Sequence, residues 1–127
     1  DAVWYVDTLN ALAGEELFGF CLDTGHLQLA KRDPYEFITK LGSRLKILHL
    51  HENDGIADLH QMPFTFGDRK EDGLDWDSVI REIGYQGTLN FETFPCVNAY
   101  PGAMSDAVLE MLHAVGCYLA EEIEKRR

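Results

Sequence analysis

The sequence predicts an α/β protein built on a parallel sheet. Two observations carry that expectation. Short apolar runs alternate with helical segments in the order α-β-α-β-loop-α-β-α, the pattern of crossover-linked parallel strands. Each of the three apolar runs also ends in residues that carry chemistry: Asp23, then "HLHEND" from His49, then Glu92. In parallel βα folds the C-terminal strand ends are where sites are built.

Residues 2–13 place Val3, Val6, Leu9, Leu12 and Ala13 at helical spacing, and Gly14 follows as a stop. "LFGFCL", 17–22, is a short apolar run suited to a buried strand. "RDPYEF" opens the next helix, with Asp33 as N-cap, Pro34 in the first turn and Glu36 at the capping-box position. This helix is expected to end near Gly42. "RLKILHL", 44–50, is the second strand. A long loop, 51–75, is rich in Asp, Gly, His and Pro, and a loop of that length inside a compact domain is usually functional. Asp75 or Asp77 can cap a helix near 77–83. "YQG" is a turn and 87–92 the third strand. A long helix from Ser105 to about Lys125 carries an apolar stripe of Val108, Met111, Leu112, Val115, Leu119 and Ile123.

Composition narrows the function. The 127 residues suit one ordinary domain, and 46% hydrophobic content is that of a globular chain. No apolar run approaches the roughly 18 residues a membrane helix needs, so no membrane partner is expected. Lys plus Arg is 11 against 22 Asp plus Glu, a formal charge of -11. That balance argues against nucleic acid, whose backbone calls for a cationic face. Cys21, Cys96 and Cys117 form no close pair, so neither a disulfide framework nor a zinc knuckle is expected. Each reads as a small buried hydrophobe, and a reducing cytoplasm is the expected location. The opening "DAVWYVDTLNALAG" reads as the middle of a larger protein.

Strand alternation sorts the strand-end residues by face. Gly19, Cys21 and Asp23 share one face; Ile47, His49 and His51 share one, as do Asn90 and Glu92. The opposite faces, with Phe20, Leu48, Leu50 and Phe91, are expected to take the helices. Neighbouring strands lie about 4.8 Å apart, so Asp23, His51 and Glu92 are expected to converge on one ion. A mixed oxygen and nitrogen set suits Mn²⁺, Mg²⁺, Co²⁺ or Zn²⁺, and three ligands with open positions describe a catalytic centre. Taken singly, Asp23 reads more readily as an N-cap or turn former, His49 as a satisfied interior histidine and His113 as exposed or structural. Glu92, on the apolar strand "LNFETF", is better explained by function, because an unpaired carboxylate there is costly.

"CLDTGH", "HLHEND", "DLHQMPFTFG" and "LDWDSVIREIGYQGTLNFE" together resemble the sugar phosphate isomerase/epimerase family, the xylose isomerase-like TIM barrels. The resemblance runs from about Val3 to about Tyr118. It implies that the chain is the C-terminal portion of a (β/α)8 barrel, strands six to eight with their helices, within one incomplete domain, 1–127. It implies metal ligation by Asp23, His51 and Glu92, a strand-five Glu having no counterpart. His26 matches a substrate-binding position, and Asp58 and His60 match the region that closes over substrate or, in one branch, holds further metal. The family usually reads P-G-x-G after that His; here the run is Pro63-Phe64-Thr65-Phe66-Gly67.

The chemistry implied is proton transfer through an enediolate of a small sugar or sugar phosphate, with Glu92 as one of two proton-handling carboxylates. The isolated chain, lacking the other, is expected to be inactive. Two other readings stand beside it. One is a zinc phosphodiesterase of the endonuclease IV type, using Asp23, His26, His51, Asp58, His60 and Glu92 in a multi-zinc site. The other is a non-catalytic barrel piece that forms homo-oligomers through its exposed sheet edges.

Overall fold

The computed structural model describes residues 1–67, 74–82 and 84–125. Helix α1, Ala2–Ala13, leads into strand β1, Phe20–Asp23, and a short helix α2, Thr24–Leu29. Helix α3, Pro34–Leu41, passes through one 3-10 turn into β2, Leu45–Leu50. After the long loop come α4, Trp76–Glu82, and β3, Leu89–Phe91. Helix α5, Phe94–Asn98, and a second 3-10 turn precede α6, Ser105–Glu124.

The sheet is wholly parallel, in the order β1-β2-β3. The fold class expected from the alternation is therefore present, and Asp23, His49 and Asn90 stand side by side in the register. Leu22, Leu48 and Leu50 point away from that row and are buried among Leu27, Ile38, Leu74, Trp76, Val79, Ile80, Leu119 and Ile123. The helices thus cover the Leu48 and Leu50 face, as the alternation predicted. Cys21, Ile47 and Asn90 lie on the uncovered face and are exposed. The expectation of three buried cysteines holds for Cys96 alone. Cys21 sits on the open sheet face, and Cys117 is exposed on α6.

Two strands begin later than expected, for local reasons. Asn10 of α1 accepts the backbone N–H groups of Leu17 and Phe18 through its side-chain oxygen and donates to the Phe18 carbonyl. Leu17 and Phe18 therefore meet a side chain where a ladder partner was expected. The Tyr85 hydroxyl donates to the Thr88 and Lys46 carbonyls, and β3 starts only at Leu89. Beyond Phe91 the pairing continues through one bond, Glu92 N–H to the Leu50 carbonyl at 3.2 Å.

The α3 start follows its sequence signal: Asp33 accepts the Glu36 N–H at 2.7 Å, with Pro34 in the first turn. Along α6, Val108, Leu112, Leu119 and Ile123 are buried and Val115 packs partly against the core. Met111 is 56% exposed, because a residue beside Leu112 on the helix is turned about 100° off the buried line. Helix α1 buries only Val6 and is tied down by a two-pronged ion pair from Arg44 to Asp7, 2.6 and 2.8 Å. Trp4 is exposed and meets Tyr5 edge to face. Trp76 is buried. Ile83, expected to end α4, lies outside the described residues, as do residues 68–73 of the long loop.

Candidate active site

A short helix and a loop that periodicity does not resolve set the site geometry. Asp23 ends β1 and caps α2, accepting the His26 N–H at 2.8 Å. Its two readings, N-cap and site carboxylate, coexist, because one oxygen serves the cap and both face imidazoles. His51 Nε2 lies 2.7 Å from Asp23 Oδ1, and His26 Nδ1 lies 3.3 Å from Asp23 Oδ2. Burial works to raise the Asp23 carboxyl, but the His51 imidazole, the His26 N–H and the charge of both rings outweigh it and lower it to about 2.

The loop after β2 folds back on itself. Glu52 and Gln61 pair antiparallel through two backbone hydrogen bonds of 2.8 and 2.9 Å. This brings Asp58 and His60 over the end of β1. Asp58 Oδ2 lies 3.3 Å from His26 Nε2 and 3.2 Å from His60 Nε2. Burial opposes the Asp58 charge, yet the two imidazoles hold its carboxyl below the usual range. Burial likewise disfavours a charged His60, but its hydrogen bond with the Glu92 carbonyl and the Asp58 carboxylate raise it above an ordinary imidazole. That ring contact, His60 Nδ1 to Glu92 O, is 2.8 Å.

Among the described residues, two groups of metal-ligating atoms gather within 4.8 Å: His26, His51, Asp58 and His60, and beside them Asp23, His49 and Glu92. Asp23 and Glu92 of the expected triad thus meet with His49, while His51 falls in the neighbouring group and joins the two through Asp23. His49, expected as a satisfied interior histidine, lies in the group with Asp23 and Glu92. Its Nδ1 lies 3.3 Å from Glu92 Oε2, and both side chains are partly open to solvent. The signal is present in the strand alternation, which puts His49 opposite Asp23, but a lone interior histidine does not announce a ligand.

The donor chemistry fits a divalent cation. His51 is completely buried; its Nδ1 has no hydrogen-bond partner among the described residues, and its Nε2 meets the Asp23 carboxylate. A buried imidazole short of partners, set among carboxylates and two further imidazoles, is what a bound cation would satisfy.

Gly25 explains how His51 fits there. A Cβ on Gly25 would stand 2.1 Å from His51 Cε1 and 2.3 Å from Nδ1. The glycine makes room for the ring. Beneath the loop, the buried Glu52 accepts the backbone N–H groups of Phe66 and Leu74, both at 3.3 Å. Burial pushes the Glu52 carboxyl up, against the pull of those N–H groups. Phe64, standing where the family pattern has Gly, holds φ at 72°, the left-handed region that glycine prefers. Its ring meets Trp76 and Tyr118, each with centroids 5.8 Å away. Cys21, near Asp23 and Glu92, is a poor nucleophile: burial and then both carboxylates push its thiol up.

Comparison with known proteins agrees with this architecture. The uncharacterized protein y4fM of Sinorhizobium fredii (strain NBRC 101917 / NGR234) is 37% identical over 82 residues, 61% of this chain and 24% of that relative. A crystal structure of a D-tagatose 3-epimerase-like protein superposes with a TM-score of 0.50 at 23% identity, over 79% of this chain and 36% of that one. The chain therefore spans about a quarter of the first and about a third of the second. The model of the xylose isomerase-like TIM barrel family matches residues 5–114. With three parallel strands, flanking helices and a match across most of its length, the chain belongs to the xylose isomerase-like TIM barrel family.

Proposed function

We propose that this chain carries the metal-binding and one proton-handling part of a divalent-metal-dependent sugar or sugar phosphate isomerase or epimerase. The observation that carries the reading is the meeting of Asp23, His49 and Glu92 within 4.8 Å at the strand ends, with His51 against Asp23. The likeness in fold to a D-tagatose 3-epimerase-like protein points the same way.

Asp23, Glu92 and His51, with His49 in reach, would hold the ion. When bound, such a cation polarises a substrate carbonyl and offsets the charge that develops as the neighbouring carbon loses its proton. Glu92 takes or returns that proton, and His49 beside its Oε2 accepts or supplies it in turn. His26, partly exposed at the mouth, lines the substrate side of the site. Asp58 fixes the orientation of the His26 and His60 rings by accepting from both. Inversion at one carbon needs a second base on the opposite face. The resemblance assigns that base to a strand-five Glu of the complete barrel.

Titration calorimetry with Mn²⁺, Co²⁺, Zn²⁺ and Mg²⁺ tests the first half. One tightly held ion is expected, lost in D23A and E92A; no uptake of any of the four overturns the reading. In the assembled barrel, deuterium from D₂O should enter a ketose or its phosphate beside the carbonyl, and E92Q should abolish this. The second group, His26, His51, Asp58 and His60, favours an alternative, a multi-zinc phosphodiesterase. About three zinc ions per assembled barrel, with cleavage of an abasic DNA, would select it. The charge of -11 opposes it.

A further inference from the structure

We infer that Asn53 is a positioning residue that presets Asp58 and His60 before any ligand arrives, an inference that rests on the metal-site reading above. Asn53 is completely buried. Its backbone is clamped to the buried Gln28 of α2: its N–H donates to Gln28 Oε1 at 3.0 Å, and Gln28 Nε2 donates to its carbonyl at 2.6 Å. The side chain then reaches across the loop. Its Oδ1 accepts two successive N–H groups, Leu59 at 2.6 Å and His60 at 3.0 Å. Because two donors converge there, that atom is the oxygen, and the amide nitrogen faces Asp58 Oδ1 at 3.4 Å.

Those contacts fall at a strained point of the loop. His60 holds φ at 48°, a left-handed conformation that a side-chain-bearing residue adopts at a cost of about 1 kcal/mol or more. Satisfying the N–H groups on both sides of the Leu59–His60 bond offsets that cost and fixes the ring's approach. His60 thereby stacks on His51 and reaches the Glu92 carbonyl, while the Asn53 amide holds Asp58 between the His26 and His60 rings. A carboxylate in its place would keep the acceptor and lose the donor. Only a neutral amide serves both ends.

N53D separates these roles. Urea denaturation of the full chain should show N53D folded but less stable than wild type, because both N–H groups keep an acceptor while a buried carboxyl then faces Asp58. Zn²⁺ affinity, read by competition with a chromophoric chelator, should fall about 10- to 100-fold. The His60 ring nitrogen shifts in long-range ¹H–¹⁵N spectra should move without metal. Folded N53D that binds Zn²⁺ as wild type does and keeps the wild-type ring shifts overturns the inference. If the wild-type chain takes up no Zn²⁺, the metal-site reading fails, and the ring shifts alone decide on Asn53. If N53D does not fold, D58A reads the same link from its exposed end: the Asn53 side-chain amide resonance should shift, and an unmoved resonance refutes the link.

Discussion

The imidazoles of His51 and His60 stack face to face, with centroids 3.9 Å apart and planes 7° from parallel. One ring comes from the end of β2 and is completely buried; the other comes from the loop and closes over it. The contact joins the end of a strand to the loop that folds back over it. His60→Ala should therefore weaken Co²⁺ or Zn²⁺ binding at least about tenfold. His113→Ala, on the exposed side of α6, should leave it unchanged. Visible absorption of the Co²⁺ complex reads both.

Gly25→Ala tests the fit around His51. The added methyl would overlap the ring and approach Asn53 Nδ2, 2.7 Å away. Overpacking of this kind costs about 1–3 kcal/mol. Urea midpoints should fall accordingly, with metal affinity lost in whatever fraction remains folded. An alanine variant as stable as wild type would show that His51 has room to retreat.

Glu52 is expected to act on the loop through its backbone contacts. Glu52→Ala strands the N–H groups of Phe66 and Leu74 and should cost about 1–3 kcal/mol. Glu52→Gln keeps a carbonyl acceptor and should cost less than half as much. Limited proteolysis within 53–67 should speed up in the alanine variant first.

The Asp23 carboxyl, lowered to about 2, implies a stability that depends on acid. An unfolded Asp titrates near about 3.9, so the folded chain binds fewer protons between those values. The contribution is fully present above about pH 4 and is lost as pH falls toward 2, with a limit of about 2 kcal/mol. Equilibrium unfolding of the metal-free chain at pH 3 and pH 7 should show that loss in wild type. Asp23→Asn should flatten it.

Periodicity and capping chemistry determined most of the framework. The Asp33-Pro34-Tyr35-Glu36 start of α3, the stripe of α6 and the three strands all follow local rules that the residues themselves carry. Period-two alternation also set which sheet face would be buried, since Leu22, Leu48 and Leu50 had to point one way if Asp23 and His49 pointed the other. Helices α2 and α5 were not legible, being five or six residues long, with a glycine or a proline in them and too few turns for a period to show.

Only the tertiary structure decided how the strand-end residues are shared out. The sequence places Asp23, His51 and Glu92 at three strand ends, but it says nothing of the path of a loop whose shape depends on long-range contacts. The Glu52–Gln61 pairing, the Asn53 clamp and the close approach allowed by Gly25 bring His60 onto His51 and leave His49 to meet Glu92. Residue type and strand register are encoded locally. The distance between two side chains from separate elements is set by packing, and packing is what assigns each histidine to its carboxylate.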